Sequence, residues 1–229
     1  MLEMNSEVGW RSADQINSAM LRVYNHMAMA VAVSAIVAGL VASSPAAMAF
    51  LYTGWMQWIV LFAPLLAVFG ISMALNSNPP RELAALMLHG FAGLMGLSLG
   101  AIVHVYTTAS LVSAFVSSAI LFGTMSGYGY FTKQSLDSLG KYLFVGLIAI
   151  VIASIVNIFV GSSIATMVIS AIAIIIFLGL TAYDTQKIRE MVSYGDATGA
   201  QEISGALSLY LDFVNIFTSL LQLFGSKNE

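Results

Sequence analysis

Charged residues make up only 8% of the 229 residues, while hydrophobic ones reach 59%. A soluble domain carries roughly 25% charged residues, so water cannot be the solvent around most of this chain. The formal net charge of -3 and the lack of any basic run exclude a nucleic-acid partner, and the absence of cysteine excludes disulfides, thiolate metal sites and cysteine nucleophiles.

The first 22 residues are polar and do not read as a cleavable signal, because a basic start, a short apolar core and a small-residue cleavage site are missing. Seven apolar stretches follow, at 23–42, 56–75, 83–103, 109–128, 139–159, 164–183 and 203–224. Each has about the 20 residues that a helix needs to cross hydrocarbon. Each is too long for a strand of a membrane barrel, which alternates over about 10 residues. The expected fold is an all-α membrane protein, a seven-transmembrane-helix bundle. It divides into an N-terminal segment (1–22), the bundle (23–225) and a short tail (226–229).

Charge placement gives an orientation. Arg11, Arg22, Arg81, Lys133, Lys141, Lys187 and Arg189 all fall on one side of a seven-span chain, and only Lys227 falls on the other. The excess of Lys and Arg in cytoplasmic loops puts the N-terminus in the cytoplasm and the C-terminus outside.

Within the third span, Gly90, Gly93, Gly96 and Gly100 read as a helix-packing face. His89 of that span is either a core histidine or a proton carrier. His26, His89 and His104 are too dispersed for a zinc site.

The sixth span ends on Thr181 and, one turn later, Asp184. The seventh carries Ser208, Asp212, Asn215, Ser219 and Gln222 at spacings of four, three, four and three, which place them on one helix face. A polar face cannot look at lipid, so it points into the bundle, either bonding to other helices or lining a water path. Asp212 lies roughly 13 Å into the span at 1.5 Å per residue, and an ionisable group at such depth is a functional candidate. Spans six and seven meet at the same membrane face, so Asp184 and Asp212 can approach each other. Two close carboxylates in a low dielectric resist double ionisation and titrate as a pair. Such a pair also offers hard oxygen ligands to calcium, although a full shell takes six to eight.

Two stretches carry a family resemblance. Residues 179–188, with Tyr183-Asp184-Thr185-Gln186-Lys187-Ile188, resemble the signature of the Bax inhibitor family, and residues 206–217 (ALSLYLDFVNIF) resemble the last helix of its bacterial members. The resemblance implies two three-helix groups around a central C-terminal helix, in a bacterial inner membrane. It also implies a pH-sensitive calcium leak with Asp184 and Asp212 as sensor and ion-binding residues. Thr181, Ser208, Asn215 and Ser219 are then candidates to line the pathway. Bacterial relatives are also linked to a membrane-bound ATP-dependent protease, so the alternative is a non-transporting regulator of such a protease or of a cell-death partner.

Calcium-leak members carry a base at the end of the second span that locks onto an aspartate. Here that region reads Ala-Leu-Asn-Ser-Asn-Pro-Pro up to Arg81, which leaves Arg81 and His89 as possible gating partners. No resident cofactor is expected. Neither is an enzyme: an intramembrane aspartyl protease needs Gly-x-Gly-Asp where this chain has Leu209-Tyr210-Leu211-Asp212.

Cysteine labelling suits a chain that has none of its own. A cysteine placed at Ser43 should react with an impermeant reagent from outside the membrane, and one at Ser193 should not. The reverse pattern would overturn the orientation, and labelling of both from one side would overturn the odd span count.

Overall fold

The computed structural model describes residues 11–194 and 198–228. They form eight helices and no sheet: α1 (Ala13–Ala42), α2 (Pro45–Leu51), α3 (Met56–Asn76), α4 (Arg81–Val105), α5 (Thr108–Phe131), α6 (Asp137–Val160), α7 (Ser163–Ser193) and α8 (Gly199–Phe224). Seven of them, all but α2, are long and apolar enough to cross a membrane.

Several helices outrun their apolar stretches, because hydropathy marks only the part that lipid solvates. α1 begins at Ala13, where Ser12 and Gln15 cap its first turn reciprocally. Residues 13–22 of the N-terminal segment are thus helical and continuous with the first apolar stretch. α7 runs on to Ser193 and receives the chain entering α1, since the Arg11 amide donates to the Ser193 carbonyl at 3.0 Å. Thr198 and Gln201 form a second reciprocal cap that starts α8 at Gly199, ahead of the apolar run. Residues 1–10 of the N-terminal segment and Glu229 of the tail lie outside the described residues.

The α3–α4 turn is set by Asn78 at a φ of 52°, a left-handed conformation that asparagine tolerates, followed by Pro79 and Pro80. Pro80 sits where its missing N–H costs nothing, immediately before α4.

Hydrocarbon solvent decides the arrangement. α8 is the central helix: 56% of its most apolar window is buried, against 0% for α6. It packs against α1, α3, α4, α5 and α7, while α6 rests chiefly on α7 and turns the rest of its surface outward. α1, α3 and α4 form one group and α5, α6 and α7 the other.

Within the first group, the glycine face of α4 is used at two of its four positions. A Cβ at Gly96 would stand 2.7 Å from the Val37 Cβ, and one at Gly100 would stand 2.6 Å from Val41 Cγ1, so these two let α1 close in. Gly90 and Gly93 face open space.

The second group contains an equally tight crossing. A Cβ at Gly129 on α5 would overlap the backbone carbonyl of Ala182 on α7, whereas at Gly123, on the same helix, it would meet nothing within 4 Å. Gly129→Ala should therefore lower stability by about 1–3 kcal/mol, the cost of forcing a packed interface apart. Gly123→Ala should be neutral or slightly stabilising, because alanine favours helix over glycine. Thermal unfolding in detergent measures both; equal midpoints would mean that the crossing relaxes without cost.

Candidate functional site

Polar side chains gather at the end of the bundle that carries the N-terminus of α8. All seven basic residues assigned above to one side belong to this end, called here the basic face.

A cavity of about 450 Å³ opens there among the ends of α3, α7 and α8. Asp184, Lys187 and Ser208 line it, with Asn76 and Asn78 from the α3 end. Gly205 gives α8 its approach to α7 at this level, since a Cβ there would come within 2.9 Å of Ile188 Cγ1.

Asp212 lies one helical turn deeper than Ser208 and is only 3% exposed. Asp184 and the Thr181 hydroxyl are the polar groups that act on its carboxyl. Thr181 is itself fully buried and reaches the Phe177 carbonyl at 2.7 Å. The second carboxyl oxygen, Oδ2, is buried with no hydrogen-bond partner. A buried carboxyl in that state calls for a proton or a cation. The structure thus brings Asp184, Asp212, Thr181 and Ser208 together.

The rest of the α8 polar face behaves differently along its length. Asn215 donates to the Leu211 carbonyl of its own helix at 2.8 Å. Ser219 is buried, and Gln222 accepts from Ser170 of α7 at 2.9 Å.

Neither expected gating partner is bonded to the aspartates. Arg81 Nη2 lies 3.7 Å from Glu202. His89 donates from Nδ1 to the Ala85 carbonyl at 2.7 Å, since a carbonyl can only accept, and its ring stands 5.9 Å from that of His26. The end of α3, where a base would stand in the calcium-leak members, presents Asn76 and Asn78 to the cavity instead. Lys187 shares the cavity, but its ammonium is held by Asp137 at 2.6 Å and Glu190 at 3.1 Å. Among the described residues no three His, Asp or Glu side chains cluster as metal ligands. A calcium ion at the pair would have to draw further oxygens from hydroxyls, carbonyls or water.

Two polar features escaped the sequence reading. The first is Glu202, 3% exposed, which takes both Nε (2.9 Å) and Nη2 (2.5 Å) of Arg22 while Arg81 approaches from α4. This clamp joins the first turn of α8 to α1 and α4. The sequence puts Arg22, Arg81 and Glu202 beside apolar stretches on the same face, but does not pair them. The second is a chain of hydroxyls, Tyr24 to Ser126 at 2.6 Å and Ser126 to Thr185 at 3.0 Å, which ties α1 to α5 and α7.

The fold and this site define an integral membrane protein of seven spanning helices with a carboxylate pair beside its central helix, Asp212 buried and Asp184 lining the cavity. A family model described as inhibitor of apoptosis-promoting Bax1 matches residues 16–229. The chain belongs to the Bax inhibitor-1 family. It is similar to the inner membrane protein YbhL of Escherichia coli, with 38% identity over 217 residues and 93% of each chain covered. An uncharacterized protein of Deinococcus radiodurans is 36% identical, covering 95% of this chain and 94% of that one. An uncharacterized membrane protein of Streptococcus pyogenes is 39% identical over 72% of each chain.

The clamp generates a test. Arg22→Ala leaves Glu202 buried with only the longer Arg81 contact and should cost about 2 kcal/mol, less than for a fully buried pair because solvent reaches Arg22. Arg81→Ala leaves the two-point Arg22 bond intact and should cost about 1 kcal/mol or less. Denaturation in detergent micelles ranks the two; a larger loss for Arg81→Ala would show that the bidentate pair is not what holds α8.

Proposed function

We propose that this protein is a pH-sensitive calcium leak in a bacterial inner membrane, with its N-terminus cytoplasmic and its ion site at Asp184 and Asp212. The reading has no catalytic step. The observation that carries it is Asp212: buried, with one carboxyl oxygen unpartnered, and next to an Asp184 that lines a cavity open at the basic face. The inner-membrane placement rests on the likeness to YbhL, and the orientation on the lopsided basic residues.

The mechanism follows from the charge balance. With one shared proton, the pair carries a single negative charge and α7 and α8 stay together. As pH rises and that proton leaves, two like charges face each other in a low dielectric. Their repulsion favours separation of α7 from α8, and the doubly ionised pair attracts calcium. Calcium and protons then compete for the same oxygens. Asp184 meets the ion first, at the cavity. Thr181 and Ser208 supply hydroxyl oxygens beside it, and Asn215 and Ser219 continue the polar face towards the far side.

In liposomes containing only this protein, calcium flux should rise with pH across the range where the shared proton is lost. Asp184→Asn and Asp212→Asn should each flatten that dependence, and Asn215→Ala should leave its shape unchanged. Flux with the same pH profile in wild type and both aspartate variants would remove the pair from the mechanism. Absence of flux at every pH would sink the leak and favour the non-transporting regulator of a membrane-bound protease.

A further inference from the structure

The two three-helix groups do not meet evenly along their length. At the basic half they are tied by the Tyr24–Ser126–Thr185 hydroxyl chain and by a bond between Tyr130 and Asn17. At the opposite half they part. An apolar groove of about 270 Å³ runs there between α1 and α4 on one side and α5 on the other, with α8 as its floor. Ala35, Val103, Val112 and Phe115 stand along its walls, and Phe213 and Phe217 form the floor. Val112 is 57% exposed and Phe115 45%, so the groove opens sideways, away from the bundle axis. In a membrane that direction is hydrocarbon, and water would not fill a slot with so few polar atoms.

The groove has a roof, and the roof carries a charge. Residues 226–228 lie across the short link between α4 and α5. The Thr107 amide donates to the Ser226 carbonyl at 3.0 Å, the Asn228 amide donates to the Val105 carbonyl at 2.8 Å, and the Ser226 amide donates to the Ser110 hydroxyl at 2.9 Å. Lys227 is thereby fixed at the end of the bundle, exposed and without an ion pair among the described residues. It is the one Lys or Arg assigned to this face. Val103 and Leu111 of the groove lie about one helical turn, roughly 5 Å, below the link it covers.

A fixed cation at the membrane surface above an apolar slot matches the two ends of one molecule. We propose that the groove and Lys227 together bind an anionic phospholipid, one acyl chain between the two helix groups and the phosphate at the Lys227 ammonium. The chain would rest on Phe213 and Phe217 of α8. Phe213 is the neighbour of Asp212, so the lipid would act as a wedge that sets how closely the two groups press on the central helix. This site is independent of calcium transport.

The test uses the full chain in bilayers of phosphatidylcholine with phosphatidylglycerol, one lipid at a time carrying a photoactivatable group in its acyl chain. Adducts located by mass spectrometry should concentrate on Val112, Phe115 and Phe217, several-fold above those on Ile148 and Ile152 of the outward-facing α6. Filling the rim with Ala35→Trp or, independently, Val112→Trp should remove the groove adducts several-fold and leave those on α6 unchanged. Lys227→Glu should lower groove labelling by the phosphatidylglycerol probe more than by the phosphatidylcholine probe. Labelling spread evenly over the surface would overturn the site. So would groove labelling indifferent to both Lys227 and headgroup charge. Disulfide-linked dimers formed by Val112→Cys in the bilayer would show instead that a second copy of the chain covers the groove.

Discussion

α8 carries a carboxylate, a glutamate, a tyrosine and several hydroxyls and amides through a solvent that can satisfy none of them. Lipid offers no hydrogen bonds, so a helix of this composition is stable only when other helices surround it. The rest of the bundle follows from that requirement. α1, α4, α5 and α7 each supply apolar surface to α8. α1 and α7 also meet its polar atoms directly, with Ser34 reaching the Tyr210 hydroxyl at 2.6 Å and Ser170 reaching Gln222. α6 has no such partner to cover, and it sits outermost with a surface that is nearly all Val, Ile, Leu and Phe.

α8 holds two electrostatic sites that differ in kind, Glu202 in its first turn and Asp212 about midway along it. Towards α1 and α4, Glu202 is fully matched: two arginines answer one buried carboxylate, and the bidentate geometry fixes the helix end. Towards α7, Asp212 is left partly unmatched and faces a second carboxylate. A satisfied pair resists rearrangement. An unsatisfied one changes with the arrival of a proton or a cation. The helix is therefore anchored on one side and electrostatically adjustable on the other, an asymmetry suited to a part that shifts against α7 while remaining attached to α1 and α4.

Much of this was legible along the chain. The lack of charge forced a membrane fold, the lengths of the apolar stretches gave the seven spans, and the four-three spacing from Ser208 to Gln222 gave the last helix a polar face that had to point into the bundle. Asp184 and Asp212 stood out because an ionisable group at or near a span is rare. Each of these signals is local: it depends on one residue's solvent or on the period of one helix. α1 and α8 start ahead of their apolar stretches because capping at Ser12 and Thr198, not hydropathy, sets where a helix starts in water.

Only the tertiary structure decided which polar groups are partners. Nothing in the order Arg22, Arg81, Glu202 says that three residues so far apart in the chain share one clamp, and without it Arg81 is an equally good match for an aspartate. Likewise the α4 glycine face has four members at spacings of three, three and four, yet only Gly96 and Gly100 lie against α1. Helical period fixes the face on which a side chain projects, but not which helix stands opposite or at what height. That depends on how seven similar apolar rods cross one another, and in this chain the crossings are set by a few tight contacts, Gly96 on Val37, Gly129 on Ala182 and Gly205 on Ile188. Those contacts place one carboxylate of α8 in a double arginine grip and leave the other facing a second acid.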